Sequence, residues 1–307
     1  MITAVDALGR ALRLAGPARR VVSLVPSETE SVAALGGLGV LVGRSDYCTE
    51  PRGSIERIPS CGGTKSIDVA RVAALAPDLI LVNQEENAKK EVERLIAAGL
   101  PVHVSFPHDV RESLAYVETL ARLLGVEAVG VEGALGATRE AVRRALERGA
   151  LRRSVPLRVF VPIWMDPLMT FDGRTFASDL LELAGAVNVF GNRPRRYPLA
   201  ADLGTAPALP AEQIAGRDTR YPRVTIDEVV AQSPDLVLLP SEPHVFTETD
   251  AAVFRALPIP AARSGAIILA DGMDLFWYGT RLAHSLARVS ELIASFADSR
   301  TESPHDV

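Results

Sequence analysis

One pattern occurs twice in this chain of 307 residues, and it restricts the fold more than any other feature. Val69-Ala-Arg-Val-Ala-Ala-Leu-Ala-Pro77-Asp-Leu-Ile-Leu-Val82 returns as Ile226-Asp-Glu-Val-Val-Ala-Gln-Ser-Pro234-Asp-Leu-Val-Leu-Leu239, with the prolines 157 positions apart (234 − 77). Each copy reads as a short amphipathic helix, halted by a proline that cannot donate to it, running into an apolar strand. A second pair agrees: Ala34-Leu-Gly-Gly-Leu-Gly-Val40 is echoed by Leu183-Ala-Gly-Ala-Val-Asn-Val189, each a helix end with glycine at the left-handed cap. Chance recurrence in an α/β chain is the alternative. Two similar lobes are the economical reading, and a cleft between lobes is where a ligand is expected.

The rhythm of elements supports an α/β fold with mainly parallel sheets. Ile2 to Leu14 alternates around Leu8-Gly9 as an edge hairpin, and 20–25, 41–43, 79–82 and 101–104 read as the strands of lobe one, with a helix over 88–98. Ser27 followed by Glu30 has the spacing of a capping box. From Val110 to Arg148 the pattern is helical, broken near Gly125, and its charged second half carries a single apolar stripe, as suits a helix lying across both lobes. Strands of lobe two are expected at 157–162, 187–190, 236–239 and 266–270, and a helix over 280–294 closes the chain. The expected division is 1–110, a linking segment 111–150 containing the long helix, and 151–307, with a Pro/Ala/Gly-rich surface insertion near 194–222.

Charge and composition narrow the function. Lys+Arg 33 against Asp+Glu 38 leaves a net charge of −5 with no long basic run, so nucleic acid is not expected as a partner. No stretch has the length and apolarity of a membrane span. The first ten residues lack the basic start and apolar core of a secretory signal, so the sequence as it stands reads as cytoplasmic, or as periplasmic or cell-surface if the chain has been trimmed. Cys48 and Cys61 are too few for a disulfide framework and are expected to be structural thiols. His103, His108, His244, His284 and His305 form no tight ligand cluster, so no bound metal is expected of the chain itself; His244, after a lobe-two strand, is the one candidate for an axial ligand to cobalt or iron. An enzyme remains the rival class, but the chain has no Gly-x-Ser-x-Gly elbow, no phosphate-cradling Gly-x-x-x-x-Gly-Lys, and no Gly-x-Gly-x-x-Gly after its first strand. Binding without chemistry is the preferred reading.

Arg20-Val-Val-Ser-Leu-Val-Pro-Ser-Glu-Thr-Glu30, Val42-Gly-Arg-Ser-Asp-Tyr-Cys48, Gly62-Gly-Thr-Lys65, Ala76-Pro-Asp-Leu79, Arg220-Tyr-Pro-Arg-Val224 and Phe276-Trp-Tyr-Gly-Thr-Arg281 together resemble the helical-backbone substrate-binding proteins of ABC importers. The nearest branch is the cobalamin and corrinoid binders, with ferric-siderophore and haem binders as cousins. This resemblance implies two Rossmann-like lobes joined by one long backbone helix, a stiff hinge, and a monomer that needs no cofactor of its own. The ligand it implies is a corrinoid or other metal chelate, a broad and partly apolar disc suited to aromatic faces and a polar rim.

On this sequence the implied ligand-binding positions are Tyr47 and Tyr221, one aromatic from each lobe, joined by Trp164, Phe246, Trp277 and Tyr278 near strand ends. His244 and Arg281 are the polar candidates, with an ion pair to Asp271 or Asp274 as the structural alternative for Arg281. Two departures make the site more polar: Thr64-Lys65 stands where the family has an aromatic after the Gly-Gly turn, and Asn83-Gln-Glu-Glu-Asn87 where some members carry tryptophan. The resemblance also implies one carboxylate per lobe that docks on an importer permease. Asp227, with Glu228 beside it, fills that role in lobe two; its counterpart is Ala70, for which Asp68 is the nearest substitute, itself expected to cap its own helix. A missing docking carboxylate and a missing signal both favour handling of the ligand inside the cell over delivery to an importer.

Overall fold

The computed structural model describes residues 1–126, 133–151 and 155–298; His305 lies outside them. The chain divides into two compact units, Met1–Val142 with Trp277–Ala283, and Arg143–Phe276 with His284–Val307.

Unit one opens with the antiparallel hairpin β1 (Ile2–Val5) and β2 (Ala11–Leu14). Asp6 holds its turn, accepting from the amides of Leu8 and Arg10. Then follow β3 (Val21–Ser23), α1 (Pro26–Val32), β4 (Leu41–Arg44), the two-residue strands β5 (Gly62–Gly63) and β6 (Ser66–Ile67), α2 (Val69–Ala74), β7 (Leu79–Asn83), α3 (Lys89–Ala97), β8 (Val102–Ser105), α4 (Val110–Leu124) and the first half of α5 (Ala134–Leu151). The main sheet has the order β4-β3-β7-β8 and is parallel throughout. Helices cover such a sheet on both faces, which is why β7, Leu79–Asn83, is buried at every position and reads as an unbroken apolar run until Asn83. Val22, Leu24, Ile80, Val82, Val102 and Val104 form the centre of that core.

Unit two repeats the plan with β9 (Leu157–Phe160), the hairpin β10 (Trp164–Met165) and β11 (Leu168–Met169), α6 (Phe176–Ala184), β12 (Ala186–Asn188), α7 (Leu199–Asp202), α8 (Ile226–Gln232), β13 (Leu236–Pro240), α9 (Glu248–Arg255), α10 (Pro260–Arg263), β14 (Ile267–Ala270), α11 (Gly272–Phe276) and α12 (Leu282–Asp298), whose first two residues belong to unit one. Its sheet, β12-β9-β13-β14, is again all parallel. The edge-to-face rings of Phe160 and Phe190, 5.4 Å apart, lie in its core.

The internal repeat extends to side chains. Gly36 and Gly185 both take the left-handed conformation expected of them, φ 86° and 107°. Asp78 accepts from the Arg20 amide while the Arg20 guanidinium donates to the Leu75 carbonyl; Asp235 accepts from the Arg158 amide while Arg158 donates to the Gln232 carbonyl. An acidic residue after the proline thus ties each helix end to the first strand of the parallel sheet of its own unit.

Two expectations change. The division between units falls inside α5, between Val142 and Arg143, and Trp277–Ala283 returns to unit one instead of staying in the C-terminal part. The capping box at Ser27 and Glu30 is absent: α1 begins at Pro26, which has no amide hydrogen to cap, so Ser27 is already inside the helix. Capping boxes stand instead at Thr225/Glu228 and Thr247/Asp250. The stretch 194–222 is largely exposed, as a surface insertion should be, and is anchored where the fully buried Asp202 carboxylate receives Arg193 at 2.9 Å and the amides of Arg196 and Arg223 at 2.8 and 2.7 Å.

Candidate functional site

In a parallel α/β sheet the loops after the strands collect at one edge, and ligands are met there. In unit one that edge carries Tyr47, Thr64 and Lys65. Tyr47 follows β4, and its neighbour Asp46 donates its amide to the Gly62 carbonyl, which ties this loop to the β5–β6 turn. The ring is 63% exposed and leans on Gly63, where an added Cβ would sit 3.3 Å from Cε2. Thr64 is buried, its carbonyl accepting from the Asn87 side chain and the Ala88 amide. Lys65 is exposed and donates through Nζ to the Glu85 carbonyl at 2.5 Å. Tyr47, Lys65 and the Gln84–Glu86 turn therefore make one accessible surface, with a single open aromatic face on a polar rim.

Beneath it Cys48 is buried, receiving the Thr29 hydroxyl at 2.9 Å, and burial pushes its thiol pKa up. Cys61 is buried as well, and both cysteines are free. Neither has the depressed pKa of a reactive thiolate.

Trp277, Tyr278 and Arg281 are placed differently from the expected open positions. Trp277 and Tyr278 are 7% exposed each, packed within unit one. The Tyr278 hydroxyl donates to Glu28 Oε1 at 2.5 Å and is 2.8 Å from Ser105 Oγ; Asn83 Nδ2 donates to it at 3.0 Å. Ser105 also donates to Glu28. Glu28 is wholly buried, and loss of hydration raises its pKa to about 7 despite those hydrogen bonds. The Tyr116 hydroxyl is buried nearby without a hydrogen bond of normal geometry. Arg281 grips Glu30 with two bonds of 3.0 and 2.9 Å, in place of Asp271 or Asp274; Asp274 is taken by Arg288. Around them Gly279 donates its amide to Ser113 and Thr280 to Ser31. The Tyr278 to Arg281 motif thus fastens the returning segment into unit one. Sequence reasoning missed Glu28 because a glutamate in a first helical turn reads as an exposed dipole partner.

In unit two Trp164, His244 and Phe246 come together. The Trp164 indole is 45% exposed, donates Nε1 to the Asp166 carbonyl at 3.0 Å, and meets the His244 ring edge-on at 5.3 Å. His244 lies 4.6 Å from Phe246, which is buried beneath it. Tyr221 sits on a strip that continues the β10–β11 hairpin, since Pro222 and Arg220 carbonyls accept from Thr170 and Asp172. The ring is half-buried, with the Arg220 guanidinium 5.4 Å from its centre. Open aromatic faces are therefore carried by Tyr47 in unit one and by Trp164 in unit two, with Tyr221 half-covered.

The docking candidates divide by role. Asp227 is exposed in the first turn of α8. Glu228 beside it completes the capping box and accepts from Arg193 at 3.0 Å. Asp68 caps α2, accepting from the Arg71 amide at 3.0 Å, as its position suggested. Among the described residues no three His, Cys, Asp or Glu side chains converge on a metal position, and no helix is long and apolar enough to cross a membrane.

The sequence matches the periplasmic binding protein family over residues 21–269. It is 32% identical over 181 residues to the vitamin B12-binding protein of Yersinia pestis (strain Pestoides F), a match covering 59% of this chain and 63% of that protein, so it spans just under two thirds of the relative's length. The fold is similar to the periplasmic vitamin B12 binding protein BtuF of Vibrio cholerae, with a TM-score of 0.70, 20% identity, and coverage of 92% of this chain and 98% of that one. It is also similar to a periplasmic heme binding protein from Pseudomonas aeruginosa, with a TM-score of 0.69, 24% identity, and coverage of 92% and 94%.

Proposed function

Because this chain belongs to the periplasmic binding protein family, we propose that it is a solute-binding protein that holds a corrinoid or a related metal chelate and performs no chemistry on it. The observation that carries the choice of ligand is the 32% identity to vitamin B12-binding proteins over 181 residues. The open rings of Tyr47 and Trp164 support it, because a macrocycle or chelate offers a broad face for stacking and amide or carboxylate groups for a polar rim. Relatives named as periplasmic favour a place on the outer side of the inner membrane and delivery to an importer permease, with Asp227 as one docking carboxylate. Handling of the chelate inside the cell is the alternative.

A haem or ferric-siderophore ligand is the second reading. It is favoured by the polar surface of Lys65 and the Glu85–Glu86 turn, and under it His244 is the candidate axial ligand. Calorimetric titration of the purified protein with cobalamin, cobinamide, haem and ferric siderophores decides between them. One saturable site for a corrinoid is expected, weakened by about 1 to 3 kcal/mol in Tyr47→Ala. No saturable heat with any of the four from folded protein rejects the chelate reading, and turnover of a bound ligand returns the enzyme class.

A further inference from the structure

Two guanidinium groups stack on one ring in the stretch 194–222, a third follows just beyond it, and none of the three forms an ion pair with an acid among the described residues. Arg195 lies over the Tyr197 ring at 4.4 Å from Cζ to the centroid, and Arg217 over the same ring at 5.1 Å. Arg223 feels Arg195: burial lowers its pKa most and the charge of Arg195 next, with Asp202 and Tyr197 opposing. The ring is fixed, since its hydroxyl donates to the Asp218 carbonyl at 2.7 Å and its own carbonyl receives the Leu209 amide.

The carboxylates close by are committed elsewhere. Asp202 takes Arg193 and two backbone amides, Asp218 takes Arg220, and Asp172 takes Arg174. Among the described residues Arg195, Arg217 and Arg223 form no ion pair. Moreover, Nε of Arg195 and Nε of Arg223 are buried without a hydrogen-bond acceptor. Buried charged donors left unmet, in a group of mutually repelling cations, are unfavourable in a folded chain unless an acceptor arrives from outside.

We propose that Arg195 and Arg217, stacked on Tyr197, together with Arg223 and its unmet buried Nε, form an oxyanion subsite of unit two that takes a phosphate or carboxylate group. A planar guanidinium presents paired N–H donors at the spacing of two oxyanion oxygens, and stacking on Tyr197 orients the fork while leaving its edge for the ligand. The group is either part of the bound ligand or a free anion. The first source rests on the chelate reading and the second does not.

Both are tested with Arg195→Gln/Arg223→Gln, and separately with Arg217→Gln, an exposed position whose replacement removes one cation without touching a buried donor. In the first arm, thermal midpoints are compared in sodium phosphate and sodium chloride at matched ionic strength. Wild type is expected to gain more from phosphate than from chloride, and the variants to lose that difference. In the second arm, affinities for cobalamin, which carries a phosphodiester, and cobinamide, which does not, are compared. A preference for cobalamin of about tenfold, lost in the variants, assigns the subsite to the ligand. A positive first arm with no binding of either corrinoid keeps the subsite and removes the corrinoid reading. If neither arm depends on these arginines, the proposal is overturned.

Discussion

The phenol of Tyr278 and the carboxyl of Glu28 meet at 2.5 Å across 250 residues of sequence, inside unit one and out of reach of water. A carboxylate there has lost its hydration, and the donors from Tyr278 and Ser105 compensate only in part, so the folded pKa rises from 4.5 to about 7. The sign follows. A raised acid contributes its stability in full below pH 4.5, and that contribution fades as pH rises through 7, by about 3 kcal/mol in all. Glu28→Gln, which cannot ionise, is expected to gain on wild type by most of that amount between pH 5 and pH 8. Unfolding measured at both values checks it, and a difference that does not vary with pH would show that Glu28 is not the titrating group.

His103, on β8, acts in the opposite sense. It is 3% exposed with neither ring nitrogen hydrogen-bonded, and burial lowers its pKa from 6.5 to about 4, with Asp6 opposing and Arg10 and Arg122 adding to the effect. A depressed base contributes its stability in full above pH 6.5, and this is lost as pH falls through 4. His103→Phe is therefore expected to be the more stable protein at pH 5 by more than at pH 7.5, since the variant neither titrates nor leaves two polar atoms unmet. Thermal midpoints across that range test it; parallel curves would reject it.

Ala76 and Ser233 hold the same left-handed backbone, φ 44° and 47°, each directly before the proline of its repeat. Neither is glycine, and an L side chain is disfavoured in that region. Ala76→Gly and Ser233→Gly should each stabilise the protein by up to about 1 kcal/mol, the converse of placing alanine at a positive φ. Loss of stability in both would mean that the tie from Asp78 to Arg20, and from Asp235 to Arg158, depends on the side chain at the preceding turn.

The same repeat explains what could be read in advance. Every strand of both parallel sheets lies within or overlaps an expected segment, because a strand buried on both faces announces itself as an apolar run between a proline or glycine and a turn. Tyr47 and Trp164 stand just after strands and are exposed, whereas Tyr221 lies far in sequence from any strand end and is half-buried. Trp277 and Tyr278 carry the same signal and are buried, because a loop has no periodicity to say which side meets the core. Glu28 is illegible because its environment is assembled from residues far apart in sequence, and the arginines around Tyr197 because charge in a polar insertion ordinarily faces water.

Asp227 offers the sharpest test of the importer. Its carboxylate is exposed in the first turn of α8, whereas capping there belongs to Thr225 and Glu228 and the contact with Arg193 to Glu228. Asp227→Lys should therefore cost at most about 1 kcal/mol, from the helix dipole, and leave chelate affinity unchanged. Asp68 differs, because its carboxylate caps α2, so Asp68→Ala is expected to destabilise by about 1 kcal/mol whether or not it docks. If the protein serves a permease, charge reversal at Asp227 cuts uptake of labelled corrinoid in cells while titration of the purified variant matches wild type, since a peripheral charge governs encounter with a partner and does not touch the ligand. Uptake equal to wild type would reject the docking role of Asp227 and favour handling of the chelate inside the cell.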